Sequence, residues 1–295
     1  MSSVDVPQYH YALVSAVPSS FAKRSLKSAA EQPIDLALAI KQHDAYVEGL
    51  RRLGLNILEI PSDEKHPESP LIADTAVVIN GTALICNPSN RRIGETSIVR
   101  STLLSHLHLR IVELHKEQAK LEGTDVLFTG QNLIRKEIIV GIGEFTNKEG
   151  AQCVAEAFPE YAVSIVTLPK EVRHLQQVMT MAGPDIILVP RGNVGQSCLR
   201  EVIARSTFTY RVTRVEEREA ANCLYVNGVI LHLDHSSIPD SYPVLESKFD
   251  NRLAIEYSEL LKGGSFLSAG AILVCKPSSF SPTFQTSLVK GHHEL

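Results

Sequence analysis

Short apolar runs alternate with amphipathic stretches along the chain. YALVSAV at 11–17 is rich in valine and ends at Pro18, which is typical of a strand. Residues 34–54 place leucine, isoleucine and valine on one helical face, and Gly54 ends that helix. NILEI at 56–60 follows as the next strand. The beginning of the chain therefore predicts a strand, a helix and a strand in succession.

Two Asn-Gly pairs lie between apolar runs. Asn80 and Gly81 separate TAVVI from TALIC, and Asn227 and Gly228 separate CLYVN from GVILHL. Because both residues of a type I′ turn need positive φ, Asn-Gly between apolar runs favours a two-residue β-hairpin. Each predicted hairpin precedes a stretch of helical periodicity and then a further strand, RIVEL after the first and LAIEY after the second.

The order of two strands, a helix and a strand recurs. DVLFTG and EIIVGIG precede a helix near 147–157 and the strand AVSIVTL, and HLQQVMTM and DIILVP precede a helix near 195–205 and the strand YRVTRV. The last run, SFLSAGAILVC, can pair with the N-terminal unit. About five units of roughly 59 residues account for the 295 residues of the chain. We predict an α/β fold in which five units close into one ring around a central cavity.

Composition and charge narrow the class of protein. The chain is 44% hydrophobic and 21% charged, and its net charge of −4 gives no general attraction to nucleic acid or to anionic membranes. Its apolar runs are too short to span a membrane, and its N-terminus lacks a secretory pattern. The five cysteines form no Cys-x-x-Cys pair, which favours reduced thiols. We expect a cytoplasmic protein without a nucleic-acid or membrane partner.

The familiar motifs for phosphate, dinucleotide and zinc binding are absent from the sequence. His106, His108 and His115 lie close together in HLHLRIVELH, but spacings of two and seven residues are unusual for a zinc site. Solvated or packed histidines are the favoured interpretation. We therefore expect neither a metal ion nor a cofactor.

LEGTDVLFTG at 121–130 is the most informative candidate for a functional site. Glu122 and Asp125 lie beside a glycine, directly before an apolar strand. A carboxylate placed there can project from the strand end into a cavity. The alternative is a turn whose carboxylates only make local hydrogen bonds. The residues by themselves leave both interpretations open.

Several segments resemble the dimethylarginine dimethylaminohydrolase family. They are LEGTDVLFTG, DTAVVINGTALI at 74–85, the run at 141–169, HLQQVMTMAGP at 174–184 and EAANCLYVN at 219–227, and they occur in the family's order. Gly123-Thr124-Asp125 and PLIAD at 70–74 look closer to the second vertebrate isoform. The resemblance implies a single domain at 10–276, the five-bladed ββαβ pentein propeller, with tails at 1–9 and 277–295.

The resemblance also implies a reaction. Family members hydrolyse N-methylated arginine to citrulline and dimethylamine or methylamine. A cysteine thiolate attacks the guanidinium carbon, and water then releases the covalent intermediate. Such chemistry needs a strong nucleophile, a proton donor and carboxylates that hold the cation.

Most of the family's site residues have counterparts in this chain. His174 aligns with the acid/base histidine, although a packed structural histidine is the alternative. Glu122 aligns with the acid that orients this histidine or supports the substrate. The predicted substrate-binding residues are the lid residue Leu26, the carboxylates Glu68, Asp74 and Asp125, and Arg91. The forked guanidinium of Arg91 suits the substrate's own carboxylate.

Other positions depart from the family pattern. Ala73 stands where a glutamate is expected, so one contact to a cation is lost. Phe145 stands where a second substrate-binding arginine is expected, and it cannot pair with a carboxylate. Both changes weaken the case for free methylarginine as the ligand.

The nucleophilic cysteine is the most serious departure. The positions that align with it, within SFLSAGAILVCK of the predicted last strand, are Ala269, Gly270 and Ala271. Cys275 lies roughly 13 to 20 Å away from them in an extended strand of about 3.3 Å per residue. Ser268 is close, but an unactivated serine is a weak nucleophile.

Three hypotheses follow. The first is a hydrolase of N-methylated arginine, impaired by the missing thiol. The second is a catalytically inactive relative that binds a small guanidine compound or an unknown protein partner in a regulatory role. The third is a structural protein that uses an outer surface. The residues favour the second hypothesis over the first.

Overall fold

Five small sheets form the framework of the protein. The computed structural model describes residues 8–24, 33–88, 92–130 and 137–275. Within these ranges each sheet has three strands. With strands numbered along the chain, the sheets are β15 (Ile272–Val274), β1 (Tyr11–Ser15) and β2 (Asn56–Ile60); β3 (Ala76–Ile79), β4 (Thr82–Ile85) and β5 (Arg110–Glu113); β6 (Val126–Phe128), β7 (Glu137–Ile142) and β8 (Ala162–Thr167); β9 (Thr180–Gly183), β10 (Ile186–Pro190) and β11 (Arg211–Val215); and β12 (Leu224–Val226), β13 (Val229–Leu233) and β14 (Arg252–Ile255).

Each sheet repeats one arrangement. Its central strand pairs antiparallel with the inner strand and parallel with the outer strand, and a helix makes the parallel crossover. These helices are α1 (Leu36–Arg52), α2 (Ile93–Ser105), α3 (Lys148–Ala157), α4 (Asn193–Arg205) and α5 (Tyr242–Lys248). The predicted ββαβ repeat is confirmed. A further short helix, α6 (Ser258–Lys262), was not predicted. No described helix has the length and apolarity that crossing a membrane requires.

Both predicted Asn-Gly hairpins are confirmed. Asn80 and Gly81 join β3 to β4 with φ of 44° and 81°, and Asn227 and Gly228 join β12 to β13 with φ of 51° and 90°. All four residues lie in the left-handed region, which asparagine and glycine tolerate best. The sequence therefore sets the register of these two blades locally.

The first blade is assembled from both ends of the described chain. β15 pairs antiparallel with β1, and Leu13 lies opposite Ile272. The predicted pairing of the last apolar run with the N-terminal unit is confirmed, but its bounds were wrong. SFLSAGAILVC contains a 3-10 turn at Leu267–Ala269 before its short strand, and HLQQVMTM contains one at Leu175–Gln177 before β9. A buried apolar run suits a strand or a packed turn equally well, so periodicity could not separate them.

The inner strands surround the axis of the ring. A cavity of about 150 Å³ is lined by residues from all five of them, among them Val77, Leu127, Met181, Tyr225 and Leu273. The predicted five-bladed ring around a central cavity is thus confirmed. The domain limits at 10 and 276 stay predictions, and residues 277–295 lie outside the described ranges.

Candidate functional site

A short 3-10 turn leads into the inner strand of every blade. The turns are Ile72–Thr75, Gly123–Asp125, Leu175–Gln177, Glu219–Ala221 and Leu267–Ala269. Because the inner strands surround one axis, their entry turns meet at one end of the ring. Side chains about 50 residues apart in the sequence, such as Thr124 and Asp74, are therefore brought into contact.

The turns of the second and third blades touch directly. The Thr124 hydroxyl donates a hydrogen bond to the Asp74 carboxylate. Gly123 packs so closely against the carbonyl of Ala73 that a Cβ at position 123 would collide with it. A glycine at this position is therefore required by the close approach of two backbones.

Asp125 joins the third blade to the fourth. Its Oδ1 accepts a hydrogen bond from the Leu175 amide at 3.0 Å, and its Oδ2 accepts one from the Thr146 hydroxyl at 2.6 Å. Both oxygens therefore have protein donors, but these donors lie 21 and 50 residues away, so the bonds are not the local ones of the turn alternative. A substrate-binding function of Asp125 stays a prediction.

His174 is the buried centre of the site, with 6% of its surface exposed. Its Nε2 lies 3.7 Å from Glu122 Oε2, and its Nδ1 lies 3.6 Å from Asp125 Oδ1. Both separations exceed a hydrogen bond, so the carboxylates act on the ring through charge. Burial disfavours the imidazolium, but Asp125, Asp74 and Glu122 outweigh burial and raise the pKa of His174.

Aromatic rings fix the plane of the imidazole. The Phe145 ring stacks on His174 with 4.9 Å between centroids and 23° between planes. The Phe266 ring lies on the same histidine at 6.2 Å. On Phe145, the Arg173 guanidinium lies 5.1 Å from the ring centroid. Phe145, which the sequence marked only as a loss, thus has a packing function.

Asp74 is paired with an arginine that the sequence analysis did not select. Arg92 Nη1 donates to Asp74 Oδ2 at 2.5 Å, while Arg92 Nε and Nη2 donate to the two oxygens of Glu95 at 3.1 and 3.0 Å. Burial alone would raise the pKa of Asp74, but the charges of Arg92 and His174 lower it, so the carboxylate stays ionised. Since a carboxylate offers about four acceptor positions, a ligand can share Asp74 with Arg92.

Glu68 lies at the edge of the same cluster. Its Oε1 is 3.2 Å from Arg24 Nη2, and its Oε2 is 3.6 Å from Arg92 Nε. Burial lowers the pKa of Arg24, against the opposing charges of Glu68 and Asp74. The carboxylates of the cluster outnumber its cations by five to four. The carboxylates are Glu68, Asp74, Glu95, Glu122 and Asp125, and the cations are Arg24, Arg92, Arg173 and His174. The field of the site therefore favours a positively charged ligand.

The structure brings together four of the predicted site residues, namely Asp74, Glu122, Asp125 and His174. Glu68 adjoins them through Arg92. Leu26 and Arg91 lie outside the described residues. Sequence reasoning missed Arg92 and Arg24, because their partners Asp74 and Glu68 are distant in the chain. The one available signal was that Arg92 directly follows the predicted Arg91.

The turn before β15 differs from the charged turns. Asn222 Nδ2 donates to Ser268 Oγ at 2.7 Å, and the Ser268 amide donates to Asn222 Oδ1 at 3.1 Å. A Cβ built on Gly270 would lie 2.8 Å from the Tyr257 hydroxyl and 3.1 Å from the Tyr46 ring. The positions aligned with the family's cysteine lie in and directly after this turn rather than in the last strand, and they are tightly packed.

Buried thiols elsewhere are held in the protonated form. Burial raises the pKa of Cys86 well above its usual value, and the charges of Asp74, Glu122 and Asp125 raise it further. Burial also raises the pKa of Cys223 to about 12. Because the thiolate is the nucleophile, neither cysteine is activated for attack.

One trio at the centre has the residue types of a metal site. Single donor atoms of Asp74, Glu122 and His174 lie within 4.8 Å of one another. Asp74, however, already pairs with the Arg92 guanidinium, and a divalent cation there would be repelled by it. The trio is therefore better suited to a flat monocation than to a metal ion.

Sequence comparisons agree with this geometry. The sequence model of the eukaryotic N,N-dimethylarginine dimethylhydrolases matches residues 11–237. The human protein described as putative hydrolase DDAH2 is 37% identical over 269 residues, which cover 88% of this chain and 92% of the human one. The N(G),N(G)-dimethylarginine dimethylaminohydrolase of Pseudomonas aeruginosa is 26% identical over 72% of this chain and 78% of its own length.

Solved structures agree on the fold. A cysteine-to-serine mutant of the Pseudomonas aeruginosa enzyme, complexed with citrulline, superimposes with a TM-score of 0.77 at 21% identity and covers 90% of this chain and all of that one. The N-terminal domain of ArgZ, a cyanobacterial arginine dihydrolase, superimposes with a TM-score of 0.73 at 15% identity and covers 90% of this chain and 98% of that one. The fold is the five-bladed pentein propeller, and by its sequence the chain belongs to the eukaryotic N,N-dimethylarginine dimethylhydrolase family.

Proposed function

We propose that this protein binds a small guanidinium compound of the methylarginine type and does not hydrolyse it. The observation that carries the proposal is the contrast within one site. His174 is held between Glu122 and Asp125 in a negative cluster, while the turn at Leu267–Ala269 offers no thiol. A cation is attracted, and the covalent step has no attacking group.

The negative cluster supports the choice of ligand. Guanidinium remains protonated at any physiological pH and presents planar N–H donors to carboxylates. Glu122 and Asp74 are buried beside the stacked rings of His174 and Phe145, so a flat cation would be desolvated between acids and aromatic faces. A guanidinium fits these surroundings better than a compact ammonium.

The packing around Gly270 supports the absence of covalent chemistry. Tyr257 and Tyr46 occupy the space that a side chain at position 270 would need. Loss of the nucleophile of a covalent catalytic unit typically lowers turnover by about 10⁴ to 10⁶. Cys86 and Cys223 do not replace it, because burial keeps both thiols protonated.

The second candidate is hydrolysis of dimethylarginine, the activity named for the family. One observation favours it, because the raised pKa of His174 suits a histidine that protonates a leaving amine. The main obstacle to this activity is the missing thiolate. We also propose that the protein is cytoplasmic, because its five cysteines are free.

Calorimetry combined with product analysis tests the proposal. The protein is titrated with asymmetric dimethylarginine, and the same mixture is assayed for citrulline. We expect binding without citrulline, and we expect Glu122→Gln to weaken binding by about tenfold or more, because a buried charge partner of the cation is removed. Glu117→Gln, at an exposed position, is the matched control and should leave the affinity unchanged.

The outcomes separate the hypotheses. Citrulline from the unmodified protein overturns the proposal and establishes the hydrolase. Absence of both binding and citrulline also overturns it and leaves the outer-surface hypothesis. Citrulline formed only by Ala269→Cys, Gly270→Cys or Ala271→Cys supports it, since the pocket would then lack only its nucleophile.

A further inference from the structure

A second group of potential metal ligands lies on the outside of the ring, at the junction of two blades. His115 follows β5 in the second blade, whereas Cys153 and Glu156 lie one helical turn apart on α3 in the third blade. Single donor atoms of the three residues all lie within 4.8 Å of one another. His115 Nε2 and Glu156 Oε2 are already 2.8 Å apart.

The three donors combine nitrogen, sulfur and oxygen. Zinc in proteins binds these three donor types at about 2.0 to 2.3 Å in a tetrahedron, which places neighbouring ligand atoms roughly 3 to 4 Å apart. A thiolate excludes the hard cations magnesium and calcium, which prefer oxygen alone. The widest separation would need to close by up to about 1 to 2 Å, and the His115–Glu156 pair would open slightly. Two of the three residues have exposed, adjustable side chains.

Two of the three residues are exposed to solvent and one is buried, which suits a metal site that ions can reach from solvent. The side chains of His115 and Glu156 are 57% and 50% exposed, whereas Cys153 is only 2% exposed. A cation can therefore approach from solvent through the histidine and the carboxylate. The thiol beneath them would supply the fixed ligand.

Charge at the site is compatible with a cation. Lys116 donates hydrogen bonds to Glu156 Oε1 and to Gln152 Oε1, both at 2.9 Å. An exposed carboxylate such as that of Glu156 is ionised at neutral pH and can bind a cation. Glu156 Oε2 faces His115, away from the lysine's oxygen, and Gln152 can retain Lys116 if the lysine shifts.

We propose that His115, Cys153 and Glu156 form a zinc site that clamps the second blade to the third, with water as the fourth ligand. This site shares no residue with the cluster of Asp74, Glu122 and His174. In the sequence His115 lies near His106 and His108, whereas Cys153 and Glu156 lie across the blade boundary and could not be grouped with it from spacing. The expectation of a protein without a metal would then be wrong at this surface.

Zinc binding to the reduced protein tests the proposal, with a competing chelator and detection by calorimetry. We expect one Zn²⁺ per chain, weaker binding below pH 7 because Cys153 must lose a proton, and a raised melting temperature. Cobalt(II) gives an independent readout, because only a thiolate ligand produces a sulfur-to-cobalt charge-transfer band in the near ultraviolet.

Matched variants locate the metal. His115→Gln and Cys153→Ser should each weaken binding by at least about tenfold, and Cys153→Ser should abolish the charge-transfer band. His106→Gln, also exposed, and Cys198→Ser, a buried cysteine on α4, are the controls and should retain both signals. Because His115 is exposed, its variant tests the site even if Cys153→Ser folds poorly.

Two results would overturn the proposal. The first is no zinc binding by the unmodified protein. The second is zinc binding that survives His115→Gln but is lost in His174→Asn, which would locate the metal in the central cluster of Asp74, Glu122 and His174.

Discussion

The turns at Gly123–Asp125 and Leu267–Ala269 have the same local structure and opposite character. Both are 3-10 turns that lead into an inner strand. The first is flanked by Glu122, carries Asp125 and contacts charged neighbours. The second has no charged side chain and is followed by Gly270, which packs against two tyrosines. The same 3-10 turn, repeated around the ring, thus carries either charged side chains or a tightly packed segment.

The comparison supports the proposal that this propeller binds a cation without hydrolysing it. The second, third and fourth blades contribute to the site through their own entry turns, which do not include the turn before β15. His174, Glu122 and Asp74 remain ordered by contacts among the second, third and fourth blades. These contacts do not require a thiol in the first blade.

The largest expected effect concerns the buried charged cluster around Arg92. Arg92→Ala should lower the free energy of unfolding by about 3 to 5 kcal/mol, because it leaves the buried Asp74 and Glu95 without their cation. Urea denaturation measures the change. The control is Arg100→Ala, which breaks an exposed pair with Glu113 and should cost about 0 to 1 kcal/mol. Equal losses in the two variants would contradict this account.

The next largest effect is expected at Gly270, directly after the tightly packed turn before β15. Gly270→Ala should destabilise the protein by about 1 to 3 kcal/mol, because its methyl group meets Tyr257 and Tyr46, both fully buried. Adding Tyr257→Phe should recover part of that loss by removing the closest oxygen. At Gly143 the nearest atom to a new Cβ is 3.6 Å away, so Gly143→Ala is the control for steric cost. A neutral Gly270→Ala would mean that a side chain fits there after all.

The raised pKa of His174 predicts a pH dependence of binding. A bound guanidinium and a protonated His174 repel each other, so affinity for dimethylarginine should increase as the pH rises through that pKa, by up to about tenfold per unit. The contribution of His174 to folding has the opposite sign. Since its folded pKa is raised, that contribution is complete below about pH 6.5 and is lost as the pH rises through the folded pKa.

Calorimetric titrations across this range, repeated with His174→Asn, measure the binding dependence. The variant should bind with an affinity that no longer changes over the same pH interval. An unmodified protein whose affinity falls with rising pH would show that the ligand needs the imidazolium instead.

The smallest expected effect concerns the ring stack. Phe145→Leu should cost about 0.5 to 1.5 kcal/mol and also shift the His174 pKa, because the ring covers the imidazole. Phe128→Leu removes a T-shaped contact with Tyr161 and is the matched control. Both variants should lose similar stability, but only Phe145→Leu should move the His174 signals in an NMR titration. Unchanged signals in both would remove Phe145 from the site.

Much of the fold could be predicted from the sequence because its signals are local. Asn80-Gly81 and Asn227-Gly228 define their hairpins through φ alone, and helical periodicity located α1 and α3 to within about two residues. The entry turns could not be predicted in the same way. Leu267–Ala269 is as buried and nearly as apolar as a strand, and only the ring explains why it turns.

Most of the predicted site residues came from the family resemblance. His174 was identified in this way, Glu122 was already a candidate from its place before an apolar strand, and Arg92 was missed. Its guanidinium reaches Asp74, which lies 18 residues earlier, and this contact depends on how α2 packs beside the second blade. Likewise, His115 gains Cys153 and Glu156 as neighbours only across a blade boundary. Spacing along one segment carries no information about such contacts.

Mass spectrometry of a single binding cycle tests the central claim most directly. The protein, in excess over asymmetric dimethylarginine, holds nearly all of the compound, and the mixture is then quenched with acid and quantified. The account predicts that dimethylarginine is recovered unchanged, with no citrulline and no adduct on the chain. One equivalent of citrulline, or a covalent adduct on any of the five cysteines, would contradict it.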